Sequence, residues 1–266
     1  MAARFLVVPQ WQGSGSDRAM RLVDGAEAIL NDLPSAATHR VEVPLEAGDA
    51  EGTGIHRWSS IRLVRERLGR ALAEYEPPTI VIGGDCGVEY ASIDATAARG
   101  RPVLLWADAH ADLNTAESSP SGAFHGMVLR ALIDDGIVAA EDVLLLGVRD
   151  LDDAEARAID TLGLRRIDAS EVATAVADRA ADGAPAVLYL HVDLDVLDPA
   201  VFAGVGFPAP FGLELDELCG ALAAARSALP LAGAGLCEYA PPASRDDDSP
   251  GDDSAAILRI IGAMTR

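Results

Sequence analysis

The 266-residue sequence lacks any apolar run near the about 18 residues that a membrane-spanning helix needs. Its opening, MAARFLVVPQWQGSG, has too short an apolar stretch and no small-residue cleavage signal, so it reads as a first buried strand and not as a secretory leader. Only three cysteines occur (Cys86, Cys219 and Cys237), an odd and widely spaced set that excludes a disulfide scaffold and points to a reducing cytoplasm. Aromatic residues make up 5% of the chain, whereas half of it is hydrophobic, so Val, Leu, Ile and Ala must build the core. Basic residues are scarce, 21 against 42 acidic ones, for a net charge of −21. Such a field repels phosphate backbones and anionic lipid surfaces, which excludes nucleic acid and membrane as partners, and it attracts small cations.

Short apolar runs alternate with helical patterns throughout. Strands are expected at Phe5–Pro9, Thr79–Ile82, Pro102–Trp106, Val143–Leu146, Val187–Asp193 and Ala232–Leu236, most of them continuously apolar, as in strands covered on both faces. Helices are expected at Asp17–Leu33, Gly87–Ala98, Phe124–Asp134, Asp153–Leu162, Ser170–Asp182, Glu214–Ala228 and Ser254–Met264. Another, capped by Ser59 or Ser60, would carry Ile61, Val64, Leu68, Leu72 and Tyr75 on one face. The alternation argues for an α/β fold with a parallel sheet between two helical layers, and no linker divides residues 1–266 into separate domains. The acidic run Ser244–Asp253 reads as a surface loop.

In parallel sheets, ligands bind beyond the carboxyl ends of strands. Four polar clusters sit at such ends: GGDCG (Gly83–Gly87), DAHAD (Asp108–Asp112), DLDVLD (Asp193–Asp198) and CEYAP (Cys237–Pro241). If the chain is still extended at DAHAD, then Asp108, His110 and Asp112 point to one face, and Asp193 and Asp195 repeat the pattern. Carboxylates converging without Lys or Arg would repel one another unless divalent cations joined them. Oxygen ligands with one imidazole suit Mn²⁺. Taken singly, the same carboxylates could equally cap helices or decorate loops.

Together GGDCG, WADAHADLNT, SGAFHGM, GVRDLDD, VDLDVLDP and CEYAPP resemble the ureohydrolases, the family of arginase, agmatinase, formiminoglutamase and guanidinobutyrase, in order along nearly the whole chain. The resemblance implies a three-layer α/β/α arginase-like fold, assembled as trimers or hexamers, with two Mn²⁺ ions whose shared hydroxide attacks a guanidinium carbon and releases urea. It further implies that Asp108 and Asp193 bridge the ions, that Asp112 completes one, and that His110 and Asp195 complete the other. His125 would be the proton-transfer histidine, its near-neutral reference pKa suiting that role, and Glu238 would pair with the substrate guanidinium. Asn114 and Ser121 match residues that hold a substrate α-carboxylate, and Asp152 one near the α-amino group. These favour L-arginine or a related amino acid over agmatine, although Asn, Ser and Asp also commonly cap loops.

The sequence departs from that pattern at several points. Cys86 stands where the family has a histidine ligand to the first ion. A thiolate suits Mn²⁺ poorly, so the first site is weak, takes a softer metal or is dispensable, or else Cys86 simply packs. Phe207 replaces a threonine at the guanidinium end, where a ring can stack on a cation, and Ala123 replaces an asparagine. His191 shares a strand face with Asp193, but two strand residues span about 6–7 Å, so direct replacement of the missing ligand is not expected. His39 and His56 have no supporting neighbours, Cys219 is expected to pack on a helix, and Cys237 to face away from Glu238. The reading is a metal-dependent hydrolase of a small cationic guanidino or amidino compound. Its rivals are a formiminoglutamase- or agmatinase-type enzyme, a catalytically impaired binding protein, and a one-metal amidohydrolase using His110, Asp193 and Asp195 around Zn²⁺.

Overall fold

The computed structural model describes residues 3–181, 185–242 and 252–266. In chain order the elements are β1 (Arg4–Val8), α1 (Arg21–Asp32), β2 (Thr38–Arg40), α2 (Trp58–Leu72), β3 (Thr79–Gly83), α3 (Glu89–Ala97), β4 (Arg101–Ala107), α4 (Val128–Asp134), β5 (Val143–Leu146), α5 (Asp153–Leu162), β6 (Arg165–Ile167), α6 (Val172–Ala181), β7 (Ala186–Asp193), α7 (Leu215–Ala228), β8 (Leu231–Cys237) and α8 (Asp252–Thr265). The strands form one eight-stranded sheet in the order β2-β1-β3-β8-β7-β4-β5-β6, with every pairing parallel.

Alternate residues of the central strands feed two cores. Val7, Ile82, Leu105, Leu190 and Leu236 pack with α1, α6, α7 and α8 on one face. Leu6, Val81, Leu104, Trp106 and Tyr189 pack with α2, α3, α4 and α5 on the other. Burial on both faces is why these strands read as unbroken apolar runs. The expected α/β architecture is therefore present, and no helix among the described residues is long and apolar enough to cross a membrane.

Differences from the sequence reading are local. β2 and β6 were not anticipated. They are three-residue edge strands with mostly polar, partly exposed residues, too short to carry a hydrophobic period. α2 begins at Trp58, so Ser59 and Ser60 lie inside it rather than capping it, and Tyr75 falls past its end. The residue before it, Arg57, has φ +59° and ties the loop after β1 by donating to the Ser14 carbonyl at 2.8 Å. Short 3-10 turns precede α3, α4 and α6, which shortens each from its expected start. Residues 244–251 of the acidic run lie outside the described residues.

The order β3-β8-β7-β4 brings the ends of four neighbouring strands together, and all four polar clusters follow them. The GGDCG turn is held by close backbone contact and by Asp85. The Asp85 carboxylate accepts from Gln10 Nε2 at 2.8 Å, Gly13 N at 2.9 Å and Gly87 N at 2.9 Å. Burial nevertheless pushes Asp85 up to about 6, against those hydrogen bonds. A Cβ on Gly84 would lie 1.7 Å from the Gln10 carbonyl oxygen, so only glycine fits there. Gly84→Ala is expected to cost about 3 kcal/mol of stability by forcing these two loops apart, a loss measurable as a lower urea midpoint.

Candidate metal centre and active site

The DAHAD segment is not a continuation of β4, as the strand alternation assumed. β4 ends at Ala107, and the chain turns so that Asp112 has φ +52°. The three side chains converge because the turn folds them inward. Asp108 accepts from His110 N at 2.7 Å and from Trp106 Nε1 at 3.1 Å. At the end of β7, Asp193 accepts from Asp195 N at 2.8 Å, and Asp195 accepts from Ala109 N at 3.1 Å, joining the two clusters. The backbone thus aims one oxygen of each aspartate, and the second oxygens meet side chains: Trp106 at Asp108, Cys86 at Asp193 and His110 at Asp195.

His110 Nδ1 lies 3.0 Å from Asp195 Oδ2 and 3.4 Å from Asp108 Oδ1. Cys86 Sγ lies 3.3 Å from Asp193 Oδ2, and Cys86 N donates to Glu238 Oε1 at 3.2 Å. Glu238 follows β8 with φ +66°, and its Oε1 is 3.6 Å from His125 Nδ1. Donor atoms of Asp108, His110 and Asp195 lie within 4.8 Å of one another, as do those of Cys86, Asp193 and Glu238, and those of Cys86, Asp108, Asp112 and His191. All six expected metal ligands and Glu238 are therefore gathered at one rim, and none of these carboxylates forms an ion pair with an arginine among the described residues.

The electrostatics show what the cluster lacks. Burial pushes the carboxyls of Asp112, Asp193, Asp195 and Glu238 up, and neighbouring carboxylates push them further. Asp112 Oδ2 and Glu238 Oε2 are buried with no hydrogen-bond partner. Burial opposes the protonation of His110, but Asp108 and Asp195 hold it protonated far above its ordinary value. A divalent cation is the group that satisfies orphaned oxygens and repelling carboxylates together, and the oxygen-rich donor set fits one.

Beside these donors lies a cavity of about 140 Å³, lined in part by Asn114, Ser121, His125, Asp152, Glu155 and Phe207. Asn114 Nδ2 donates to Asp152 Oδ2 at 2.8 Å, while Asp152 caps α5 in a reciprocal pair with Glu155. Ser121 Oγ accepts from Ala123 N at 3.2 Å. The three expected substrate contacts thus face the cavity and also hold its loops. The Phe207 ring stacks on His125 at 5.2 Å between centroids and meets His110 edge-on at 6.4 Å. Burial pulls His125 down to about 4, with charged His110 adding to the effect. His125 is therefore held neutral further into the acid range than its near-neutral reference pKa implies.

Sequence reasoning missed Glu155 and Glu89. Glu155 accepts from Leu113 N at 3.3 Å and so supports the metal-side loop. Glu89 sits fully buried in α3, where it accepts from Tyr189 Oη at 2.7 Å and Cys237 Sγ at 3.4 Å. Its signal was an acid opening a helix whose next turn carries Tyr90, Ala91 and Ile93. His191 Nε2 stands 3.6 Å from Asp108 Oδ2, nearer the donors than its strand position suggested; its ring stacks on Trp106, its register partner two residues before Asp108.

Residues 19–262 match the model of the Arginase family, and the chain belongs to that family. It is 31% identical over 217 residues to the arginase of Bacillus caldovelox, covering 71% of this chain and 69% of that one. The arginase of Staphylococcus aureus is 29% identical over 202 residues, and the aligned region spans 66% of this chain and 65% of that protein's length. Among solved structures, Entamoeba histolytica arginase in complex with L-ornithine superposes with a TM-score of 0.81 at 22% identity, over 98% of this chain and 97% of that one. The arginase-like fold and the family expected from the motifs are thus those observed.

The titration of this rim has a measurable consequence without metal. A group raised on folding contributes stability in full below its unfolded pKa and loses it as pH rises through the folded value. The raised carboxyls, His110, and His191 at about 9 all have this sign. His125, which is lowered, opposes them only below its unfolded value of 6.5. The calorimetric midpoint of metal-free protein should therefore fall between about pH 6.5 and pH 9, and added divalent ion should remove the slope.

Proposed function

We propose that this chain hydrolyses the amidino C–N bond of a small guanidino compound, with L-arginine the best candidate, giving urea and L-ornithine. The observation that carries this reading is the meeting of Asp108, His110, Asp193, Asp195 and Glu238 at one rim beside a small cavity. Family membership supports a pair of divalent ions, typically Mn²⁺. Asp108 and Asp193 would be shared between them, with Asp112 and Cys86 on one side and His110 and Asp195 on the other. When bound, the ions would supply hydroxide at neutral pH, which a resonance-stabilised guanidinium carbon requires of its attacker.

The protein's own residues would bind, orient and move the proton. The unpartnered Oε2 of Glu238 is a natural acceptor for a guanidinium N–H, and burial strengthens that bond. Phe207 lines the cavity and stacks on His125, and its ring would offer a face to the planar cation. His125, neutral at rest, takes up a proton from water and passes it from its imidazole to the departing amine, so each turnover returns it to the neutral form. Asn114 and Ser121 would donate to an α-carboxylate, and Asp152 would accept from an α-ammonium; Asn114 would then exchange its bond to Asp152 for one to substrate. A residues 1–266 single-domain subunit in a cytoplasmic homo-oligomer, trimer or hexamer, completes the proposal.

Urea release from L-arginine and agmatine, and formamide release from formiminoglutamate, after loading with Mn²⁺, Co²⁺, Ni²⁺ or Zn²⁺ in turn, tests the reading. L-arginine should be turned over best, and absence of turnover for every pair would overturn it. Asp193→Ala should abolish both metal binding, measured by elemental analysis, and activity. His125→Asn should retain metal while kcat drops about 10²–10⁴-fold.

A further inference from the structure

We propose that His191 is a metal ligand and that, with Cys86, Asp108 and Asp112, it makes a mixed sulfur–nitrogen–oxygen site selective for a borderline-soft ion of the Zn²⁺ class over Mn²⁺. The inference rests on the metal-dependent reading of the same rim and assigns one of its two sites. Cys86 Sγ, a nitrogen of His191, and carboxylate oxygens of Asp108 and Asp112 lie within 4.8 Å of one another, and Cys86, Asp108, Asp112 and His191 are all buried. His191 is fully buried, yet neither ring nitrogen has a hydrogen-bond partner, and Asp112 Oδ2 is orphaned as well. An orphaned buried carboxylate oxygen is costly, and beside an imidazole held only at ion-pair distance from Asp108 and Glu89 it points to a bound cation.

The imidazole is held for the task. Its ring stacks on Trp106 at 3.6 Å between centroids, the two residues being neighbours in register on β4 and β7. Nε2 faces Asp108 Oδ2 at 3.6 Å, while Nδ1 faces Glu89 Oε2 at 3.5 Å. A carboxylate behind one nitrogen fixes the tautomer, leaving the other lone pair for the ion and raising its basicity. Glu89 is itself anchored by the Tyr189 hydroxyl and the Cys237 thiol. Room for it exists because residue 235 is glycine: a Cβ there would lie 1.6 Å from Glu89 Oε1. With Asp193 Oδ2 only 3.3 Å from Cys86 Sγ, the donors at this site include a thiolate and an imidazole, which suit Zn²⁺ and its affinity for sulfur, whereas Mn²⁺ favours oxygen.

Metal titration of the full chain tests this directly. Co²⁺ bound to the metal-free protein should give an intense thiolate-to-cobalt band in the near ultraviolet, and Cys86→Ser should remove it. The zinc-loaded protein should show a sulfur neighbour at about 2.3 Å by X-ray absorption. Replacing His191 with Gln should weaken binding at this site at least about 100-fold while the other site keeps its ion, and Glu89→Gln should weaken it about 10–100-fold through the lost carboxylate. In His110→Ala, imidazole scattering should persist around zinc, a result that does not depend on the His191 variant folding. Unchanged affinity and spectrum in His191→Gln, or no sulfur around zinc in the wild type, would overturn the inference while leaving guanidino hydrolysis intact. Failure of the wild type both to bind divalent ions and to hydrolyse any guanidino compound would overturn the functional reading and this site with it.

Discussion

The structure is organised around carboxylates held out of water with no arginine or lysine paired to them among the described residues. Asp108, Asp112, Asp193, Asp195 and Glu238 are all nearly inaccessible to solvent, and burial with mutual repulsion raises most of their pKa values. A fold tolerates such a centre only if the surrounding structure fixes each group and a positive ion is available to it. Backbone amides from Ala109, His110 and Asp195 aim the oxygens, and the left-handed conformations at Asp112 and Glu238 turn two more carboxylates inward. Strain of this sort is stable because the packed sheet beneath leaves no alternative.

The sheet order supplies the rest. Strands β3, β8, β7 and β4 are neighbours in space though far apart in sequence, so residues 86, 108, 193 and 238 meet above a common floor. Beneath that floor lies a layer less evident than the acidic rim: Trp106, His191, Glu89, Tyr189 and Cys237 form a polar inclusion within an otherwise aliphatic core. It joins α3 to the sheet beneath the acidic rim, and it explains glycine at position 235.

Long buried strands and amphipathic helices were legible because their apolar periods are set by local geometry. The edge strands β2 and β6 were not, since pairing with a neighbour and not hydrophobicity makes them strands. Asp108, His110, Asp193 and Asp195 stood out as acidic motifs abutting apolar runs. Strand alternation was nevertheless the wrong account of their convergence, because the chain leaves β4 before Asp108. The acid strength of His125 was likewise misjudged from its residue type, since burial and a charged neighbour dominate it.

Composition and motif order by themselves determined the fold class, the family and the identity of the polar groups available to the site. These properties follow from hydrophobic patterning and residue chemistry, which are written locally along the chain. Only the tertiary structure decided which groups touch: that His191 reaches Asp108, that Glu89 stands behind it, that Asn114 is already engaged by Asp152, and that Phe207 covers His125. Side-chain reach across neighbouring strands and the loss of solvent around them depend on residues distant in sequence, and no local pattern encodes either.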